Sequence, residues 1–202
     1  MAESAEPLPD PGWFVEDLVS TLVLAHDCSG LVERWSVTAE LPLDELLVAL
    51  NVDSPARRPR SPGRGPVDVA APAGCDGVAV DAHGAEITAD DWPPAASGRR
   101  VVNVRLPRPL LPAEAHAFDL TLCLPRSQAF VRHVVVPAVP CRRLELRVHF
   151  GRPGPPSAVS RVSPVDGAEG AAGAVRVPVD RAGDVAATFT DLRPGRAYGV
   201  AW

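Results

Sequence analysis

Titratable side chains recur at positions assigned to the outer faces of the predicted strands near the middle of the chain. They are Asp119, His133, Glu145, Arg147 and His149. If the strands that carry them lie in one sheet, these side chains form a polar patch suited to acid–base chemistry or to binding a carboxylate. We favour a solvated sheet face, because antiparallel sheets normally expose one side. Cross-strand ion pairs on such a face each contribute less than about 1 kcal/mol.

A loop rich in arginine is a second candidate binding segment. It spans residues 54–66, SPARRPRSPGRGP, and its four prolines and two glycines exclude regular structure. Its guanidinium groups, among them Arg57, Arg58 and Arg60, suit phosphate oxygens. Because no aromatic residues are interleaved for stacking on bases, we favour a solvated loop over a nucleic-acid contact.

Three tryptophans are candidate anchors for a partner. Trp92, in the loop DDWPPAASG, is a candidate lid of a ligand pocket, and Trp13 and Trp202 lie near the two ends of the folded region. All three serve equally well as apolar caps at the open ends of a sandwich. The sequence leaves these two interpretations open.

The cysteine and histidine spacings give a weak metal signal. His26 and Cys28 lie in one turn, and Cys75 and His83 flank a predicted hairpin, which allows a composite zinc site to be drawn. The ligands of structural zinc sites usually come in closely spaced pairs along the sequence, so we predict no metal and no cofactor. Four separated cysteines without a CxxC pair predict reduced thiols.

Motifs for nucleophilic and phosphoryl-transfer chemistry are absent from the sequence. There is no GxSxG elbow and no GxGxxG after a predicted strand, and a Walker loop is excluded because the chain has no lysine. The candidate polar residues form no recognised catalytic constellation. We therefore predict that the protein is not an enzyme and has no catalytic residues.

Period-two alternation indicates β-strands for the segments that position these residues. The clearest run through AHAFDLTLCL and CRRLELRVHF, with FVRHVVVPA between them. One hairpin is predicted over 13–40, turning at HDCSG, and another in GVAVDAHGAEIT, turning at 81–84. ELLVALNVD also has helical spacing, and we favour a strand. Further strands are predicted in RRVVNVRLP, SAVSRVS, AVRVPVD and DVAATFT.

The chain closes with DLRPGRAYGVAW, in which a Pro-Gly turn precedes a tyrosine that begins a last strand. Leu192, Pro194, Gly195 and Tyr198 resemble the tyrosine corner of immunoglobulin-like and fibronectin type III domains, over roughly the last 50 residues. The resemblance implies that the tyrosine hydroxyl bonds back to the preceding turn.

A looser resemblance covers the whole chain. It rests on the central F-D-L-x-L-x-L-P that begins at Phe118, and on the closing PG-x-x-Y-x-V-x-W that begins at Pro194. These motifs resemble the C-terminal regions of actinobacterial helix-turn-helix regulators of the XRE type. No segment here has the pattern of a helix-turn-helix, so the resemblance implies only an accessory β-domain.

The predicted fold is all-β, an antiparallel two-sheet β-sandwich of immunoglobulin-like kind. We expect a flexible N-terminus over residues 1–12 and a main sandwich over 13–150. Residues 151–202 follow the break GRPGPPS, and they either complete this sandwich or form a small second lobe.

The composition is typical of a soluble folded domain. The chain has 202 residues, 46% of them apolar, and its formal net charge of −5 argues against nucleic-acid binding. Its apolar runs are shorter than the roughly 20 residues of a membrane span, and MAESAEPLPDPGW lacks the pattern of a signal peptide. We expect a cytoplasmic protein without membrane contact.

Together these patterns predict a non-enzymatic recognition or regulatory module that binds another protein through a sheet edge or the loop ends. The alternative is a sensor of small molecules or glycans, with its pocket between the sheets or under Trp92. A hydrolase-like enzyme is the third hypothesis. A recognition module needs an exposed uncharged patch and no deep pocket, whereas a sensor needs an apolar cavity with a few polar groups.

Overall fold

The computed structural model describes residues 11–24, 29–51, 79–91, 99–124, 130–151, 154–164 and 175–202. These residues form β-strands, and no helix occurs among them. The all-β prediction is therefore confirmed. In the same ranges no helix is long and apolar enough to cross a membrane.

The strands follow the alternating segments of the sequence closely. ELLVALNVD and RRVVNVRLP, for example, fall in strands β3 and β6. In chain order the strands are β1 (Trp13–Leu24), β2 (Ser29–Ala39), β3 (Leu43–Asn51), β4 (Ala79–His83), β5 (Glu86–Asp91), β6 (Arg99–Leu110), β7 (Ala115–Leu124), β8 (Arg132–Val135), β9 (Cys141–Phe150), β10 (Ser160–Val162), β11 (Asp184–Leu192) and β12 (Tyr198–Ala201).

A six-stranded sheet in the order β11-β9-β1-β2-β7-β4 is the largest element of the fold. β1 and β2 pair antiparallel, which confirms the two arms of the hairpin predicted over 13–40. On its other side β1 pairs with β9, and this pairing is parallel. The sheet is therefore mixed, whereas the sequence predicted antiparallel pairing throughout. A parallel pair needs a long connection, and here the connection contains β2 to β8.

Two three-stranded sheets, β3-β6-β5 and β10-β12-β8, complete the described fold. The hairpin predicted around 81–84 does not form, because β4 pairs with β7 in the large sheet and β5 pairs with β6. The chain turns between these sheets at Gly84, whose φ is +83°. Alternation identifies a strand but does not specify its partner, so the predicted pairing of β4 with β5 was wrong.

The C-terminal strands hydrogen-bond to strands of the 13–150 region. β11 pairs with β9 in the large sheet, and β12 pairs with β8. The strand predicted in AVRVPVD reduces to one isolated bridge between Ser160 and Arg176. Pro178, which follows in this segment, has no N–H to donate to a neighbouring strand.

Alternation along the strands builds one apolar core. The inward faces of β7 and β9 are buried as predicted, and they consist of Phe118, Leu120, Leu122, Leu124, Leu144, Leu146, Val148 and Phe150. Residues of β3, β6, β8 and β12 belong to the same buried cluster, for example Leu46, Val104, Val135 and Val200. All three sheets therefore share this core.

Tyr198 fixes the turn between β11 and β12. Its hydroxyl oxygen accepts a hydrogen bond from the backbone N–H of Arg193 at 2.9 Å, the bond that the tyrosine-corner motif implies. Gly195 in the same turn has a φ of +73°, and its N–H donates to the carbonyl oxygen of Pro137 at 2.8 Å. These bonds hold the turn against the segment that follows β8.

Gly199 in β12 is a position where we expect a methyl group to be strongly destabilising. A Cβ atom there would lie 2.1 Å from the carbonyl oxygen of His133 in the backbone of β8. Because strand β8 must move to relieve this overlap, Gly199→Ala should lower the free energy of unfolding by at least about 2 kcal/mol. Denaturation by urea, followed by tryptophan fluorescence, measures the change.

The matched control is Gly30→Ala in β2, where the nearest atom to the new Cβ is the carbonyl oxygen of Leu122 at 3.6 Å. This is an ordinary contact, so the control should be neutral or slightly stabilising, within about 1 kcal/mol of the wild type. Equal stability of the two variants would contradict the close packing of β12 on β8.

Candidate functional site

The outer face of the six-stranded sheet carries four of the five titratable residues predicted for a polar patch. They are Asp119 on β7 and Glu145, Arg147 and His149 on β9, and all four are at least partly exposed. Strands β1 and β2 lie between β7 and β9. The predicted residues therefore share one face but form two separate groups, one on each side of its centre.

The group on β9 is part of an ion-pair network. Arg143 donates to Asp17 of β1 at 2.7 Å and to Glu145 at 2.6 Å, and Arg147 donates to Glu145 at 2.8 Å. The hydrogen bonds from Arg147 and Arg143 hold the pKa of Glu145 below its usual value. A carboxylate held in this way is a poor general base.

The other two residues on this face are also paired. Arg34 of β2 donates from Nε and Nη2 to the two carboxylate oxygens of Asp119, at 2.8 and 3.2 Å. The hydrogen bond from Arg34 is the main reason that the pKa of Asp119 lies below its usual value. His149 contacts Asp184 on the edge strand β11. Cross-strand ion pairs of the kind expected for a solvated face are thus present.

Between the two charged groups lies a set of uncharged side chains, which we call the valine-threonine patch. It consists of Val19, Thr21 and Val23 on β1, Val32 on β2 and Thr121 on β7. Thr21 is the register partner of Val32, and Val32 is that of Thr121, so the patch crosses three adjacent strands. Val32 is 39% exposed although its strand is central in the sheet. An uncharged centre with a charged rim is the usual anatomy of a protein-binding surface.

His133 does not lie on this face, and the prediction that it belongs to the polar patch is wrong. It is 5% exposed and lies in β8 of a small sheet, on the same side of the strand as buried Val135. Valines occur on both faces of this four-residue strand. Alternation in so short an apolar segment does not tell which face is buried.

His133 instead belongs to a buried polar cluster with Ser20, Glu33 and Trp35. The Ser20 hydroxyl donates to Glu33 Oε1 at 3.0 Å, and the indole N–H of Trp35 donates to Glu33 Oε2 at 3.2 Å. His133 Nε2 lies 3.1 Å from Ser20 Oγ. The hydroxyl and the imidazole are thus within hydrogen-bond distance, and the tautomer of His133 sets which of them donates. The cluster joins β1, β2 and β8 and so links the large sheet to a small one.

Burial sets the protonation states in this cluster. It raises the pKa of Glu33 from 4.5 to about 7, against the opposing effect of the hydrogen bonds from Ser20 and Trp35. It lowers the pKa of His133 from 6.5 to about 4. Both charged forms are disfavoured because the surrounding core is apolar. In mildly acidic solution both groups are therefore mostly uncharged.

The order of residues in the cluster differs from that of a nucleophilic triad. In a triad the histidine lies between the serine and the carboxylate and accepts the serine proton. Here Ser20 lies between His133 and Glu33, and its proton is directed to the carboxylate. Ser20 is fully buried, so its hydroxyl is out of reach of a substrate. In this cluster every buried polar side chain has a polar partner.

Two of the four cysteines lie in the described part of the chain. Cys123 is exposed and Cys141 is buried, and both are free. Burial is the main cause that raises the pKa of Cys141 to about 12, so its thiol stays protonated and unreactive. No group of three or more potential metal ligands occurs in the described part of the chain, and three residues of the composite zinc site considered above, His26, Cys28 and Cys75, lie outside it.

Several predicted contact residues also lie outside the described residues, namely Arg57, Arg58, Arg60 and Trp92. Trp13 is 4% exposed, so it is part of the core and not an exposed anchor. Trp202 is partly buried and packs edge-on against Phe150, with 4.9 Å between the ring centroids. Trp13 and Trp202 thus act as packing residues.

Two cavities bear on the choice between a recognition module and a sensor. The one between the large sheet and strands β3 and β8 has a volume of about 20 Å³, which is room for about one water molecule. A cleft of about 570 Å³ opens at the surface, where the starts of β1 and β9 meet the end of β11. Arg142 in this cleft lies 4.4 Å from the centroid of the Phe14 ring and pairs with Glu16 at 2.7 Å.

No family model matches the chain, and no curated protein is significantly similar to it. Among solved structures, an M1 zinc metallopeptidase from Deinococcus radiodurans is 15% identical, with a TM-score of 0.45 over 95% of this chain and 42% of that one. A two-domain M1 zinc metallopeptidase variant bound to L-tryptophan is 16% identical, with the same TM-score over 95% and 43%. The chain thus spans less than half the length of these structures. Similarity at this level assigns no function.

The buried cluster is the part of the described structure that sequence reasoning missed. One signal was present: Glu33 interrupts the apolar face formed by Leu31, Trp35 and Val37. A carboxylate on a buried face requires polar partners. Those partners come from β1 and from the distant strand β8, so local alternation does not reveal them.

Glu33 should make stability depend on pH. Folding raises its pKa from 4.5 to about 7, so between these values this carboxyl group binds more protons in the native state than in the unfolded state. Stability from this group is present below pH 4.5 and is lost as the pH rises through 7. Glu33→Gln removes the loss. From pH 4 to pH 8 the difference in unfolding free energy should therefore shift in favour of the variant by about 3 kcal/mol.

Urea denaturation of both proteins at a series of pH values gives this difference directly. In Glu33→Gln the contribution of His133 is no longer masked by that of Glu33. The stability of this variant should therefore rise with pH between about 4 and 6.5, because folding lowers the pKa of His133. A difference between variant and wild type that stays constant across the series would contradict the burial of a titrating Glu33.

Proposed function

We propose that the protein is a non-enzymatic recognition or regulatory module that binds another protein through the valine-threonine patch. The observation that carries the proposal is the exposure of uncharged side chains, Val32 above all, at the centre of a six-stranded sheet. Central strands of a sheet form a rigid surface, and apolar area exposed on such a surface is available for association.

The rim of the patch supports the same reading. The pairs Arg34–Asp119 and Arg143–Asp17 are already hydrogen-bonded on either side of it. Ion pairs formed before binding need not be ordered during binding, which lowers its entropic cost. The β-branched side chains of the patch likewise lose little rotamer freedom when they are covered. The matching partner surface is apolar at its centre and polar at its edge.

A binding role is also supported by where the perturbed titratable groups lie. Glu33, His133 and Cys141 have strongly shifted pKa values, and each of them is at most 5% exposed. Catalysis requires such groups to be accessible to a substrate, and Cys141, the one of the three that lines the 570 Å³ cleft, is only 2% exposed. We infer that these shifts are consequences of core packing.

We further propose that the two small sheets form the second layer of a sandwich related to immunoglobulin-like domains. The shared core and the hydrogen bond between Tyr198 and Arg193 support this relation. The parallel β1-β9 pair and the division into three sheets are departures from that family's pattern. A cytoplasmic location and a role as an accessory domain of a regulator belong to the same proposal.

Binding of a small molecule or glycan is the second candidate function, and the 570 Å³ cleft favours it. The cleft combines apolar walls with the charged residues Glu40, Arg142 and Asp191. Its mouth is open, and Trp13 on its wall is only 4% exposed, so the cleft would bury little of a ligand. The patch therefore supports the first candidate more strongly.

Val32→Arg tests the patch. An arginine at its centre would place an unpaired charge in the interface, so capture of a patch-dependent partner should fall at least about tenfold. The measurement is affinity capture from an extract of the native host, with quantitative mass spectrometry of retained proteins and small molecules. Val32 is already exposed, so the variant should unfold at the same temperature as the wild type.

Val131→Arg is the matched control, because it makes the same change at a valine that is 64% exposed and lies outside the patch. A patch-dependent partner is retained by the wild type and by this control but not by Val32→Arg. If all three proteins retain the same partners, the patch is not the binding surface. Retention of one small molecule without any protein would favour the sensor.

A further inference from the structure

A second cleft, of about 300 Å³, lies where β10 and β11 meet the turn before β12. Three arginines line it, Arg161, Arg193 and Arg196, together with a single carboxylate from Asp191. The chain as a whole has a net charge of −5, so the local positive charge of the cleft is opposite in sign to the net charge of the chain. Clefts lined by one sign of charge focus the electrostatic potential toward ligands of the other sign.

Arg161 is held in place by the fold. Its guanidinium carbon lies 4.0 Å from the centroid of the Phe189 ring, and Nη2 donates to the carbonyl oxygen of Thr188 at 2.8 Å. A guanidinium has five N–H donors, and this contact uses one of them. Stacking on an aromatic ring restricts the side chain, so its remaining donors are available at a low entropic cost.

Arg193 and Arg196 are carried by the turn that Tyr198 fixes. The Tyr198 hydroxyl accepts the backbone N–H of Arg193, and the N–H of Arg196 donates to the carbonyl oxygen of Arg193 at 3.3 Å. Gly195 anchors the same turn to Pro137. The backbone positions of both arginines are therefore set before any ligand arrives.

Among the described residues, the positive charge of the cleft is incompletely balanced by carboxylates. Arginines on the large sheet, such as Arg34 and Arg143, pair with carboxylates. Within the ranges that the structure describes, neither Arg161 nor Arg196 forms an ion pair with a carboxylate. Guanidinium groups placed together without carboxylate partners are suited to bind a carboxylate or phosphate from outside.

We propose that this cleft binds the carboxylate side chains of an acidic segment of a partner protein. The alternative polyanion, a single-stranded nucleic acid, needs exposed aromatic faces for its bases. Phe189 and Tyr198 are 4% and 7% exposed, so they do not provide such faces. The acidic balance of the whole chain also repels an extended polyanion more than a short acidic peptide.

This inference goes beyond the valine-threonine patch and does not depend on it. The patch lies on the outer face of β1, β2 and β7, whereas the cleft is formed by β10, β11 and the last turn. A partner with an acidic segment need not contact the patch. Variants of the two surfaces therefore separate the two proposals.

The test is titration of a fluorescein-labelled oligo-glutamate peptide with the full chain, followed by fluorescence anisotropy at low salt. Arg196→Glu should weaken binding at least about tenfold, because it replaces an attraction with a repulsion. Arg181→Glu is the matched control: Arg181 is equally an exposed arginine, it makes the same change in net charge, and it does not line the cleft. The control should bind within about twofold of the wild type, and binding should weaken as salt is raised.

Equal binding by Arg196→Glu and Arg181→Glu, or no measurable binding by the wild type, would overturn the proposal. A single-stranded oligonucleotide that binds more tightly than the peptide, and loses affinity with Arg196→Glu, would also overturn it in favour of a nucleic acid. Inorganic phosphate should displace the peptide only at concentrations far above that of the peptide. Such a result supports recognition of a multivalent acidic segment. Val32→Arg should bind the peptide like the wild type, and its failure to do so would place the peptide on the sheet face instead.

Discussion

The parallel pairing of β1 with β9 joins residues that lie far apart in the chain, and the rest of the described structure is arranged around it. Arg143 of β9 and Asp17 of β1, which are 126 positions apart, are hydrogen-bonded across this pair at 2.7 Å. β9 in turn carries β11, and β1 carries the hairpin partner β2. Loss of this pairing would separate the large sheet into two antiparallel parts. The first strand and the late strands β9 and β11 are thus held in one sheet by contacts between segments far apart in the sequence.

The buried polar cluster connects two different sheets, whereas the β1-β9 pairing connects neighbouring strands of one sheet. Glu33 and Ser20 lie on the large sheet, and His133 lies on a small one. A hydrogen bond is directional, so the cluster accepts one relative position of the two sheets, whereas apolar contacts tolerate sliding. Its polar groups cost free energy to bury, and their mutual hydrogen bonds offset part of that cost.

The sequence was informative about strands and much less so about their partners. The alternation of Phe118, Leu120, Leu122 and Leu124 is local, and a half-buried strand follows from it directly. The parallel partner of β1 and the separation of β4 from β5 depend on distant residues, to which local alternation is blind. The same limit applied to the site. The sequence correctly predicted one face for Asp119, Glu145, Arg147 and His149. It did not predict that β1 and β2 lie between β7 and β9, and the uncharged patch depends on that strand order. His133 was misplaced because valines occur on both faces of its short strand.

The opposite shifts at Glu33 and His133 have a consequence for the protons that the chain exchanges with water as it folds. Between about pH 4.5 and 6.5 the unfolded chain carries its proton on the imidazole, and the carboxyl group is ionised. In the native state the carboxyl group, with a pKa of about 7, holds the proton, and the imidazole, with a pKa of about 4, has lost one. Folding thus relocates one proton from His133 to Glu33 without net uptake or release. This transfer removes two charges that would be costly to bury, and no net proton is exchanged with the solvent.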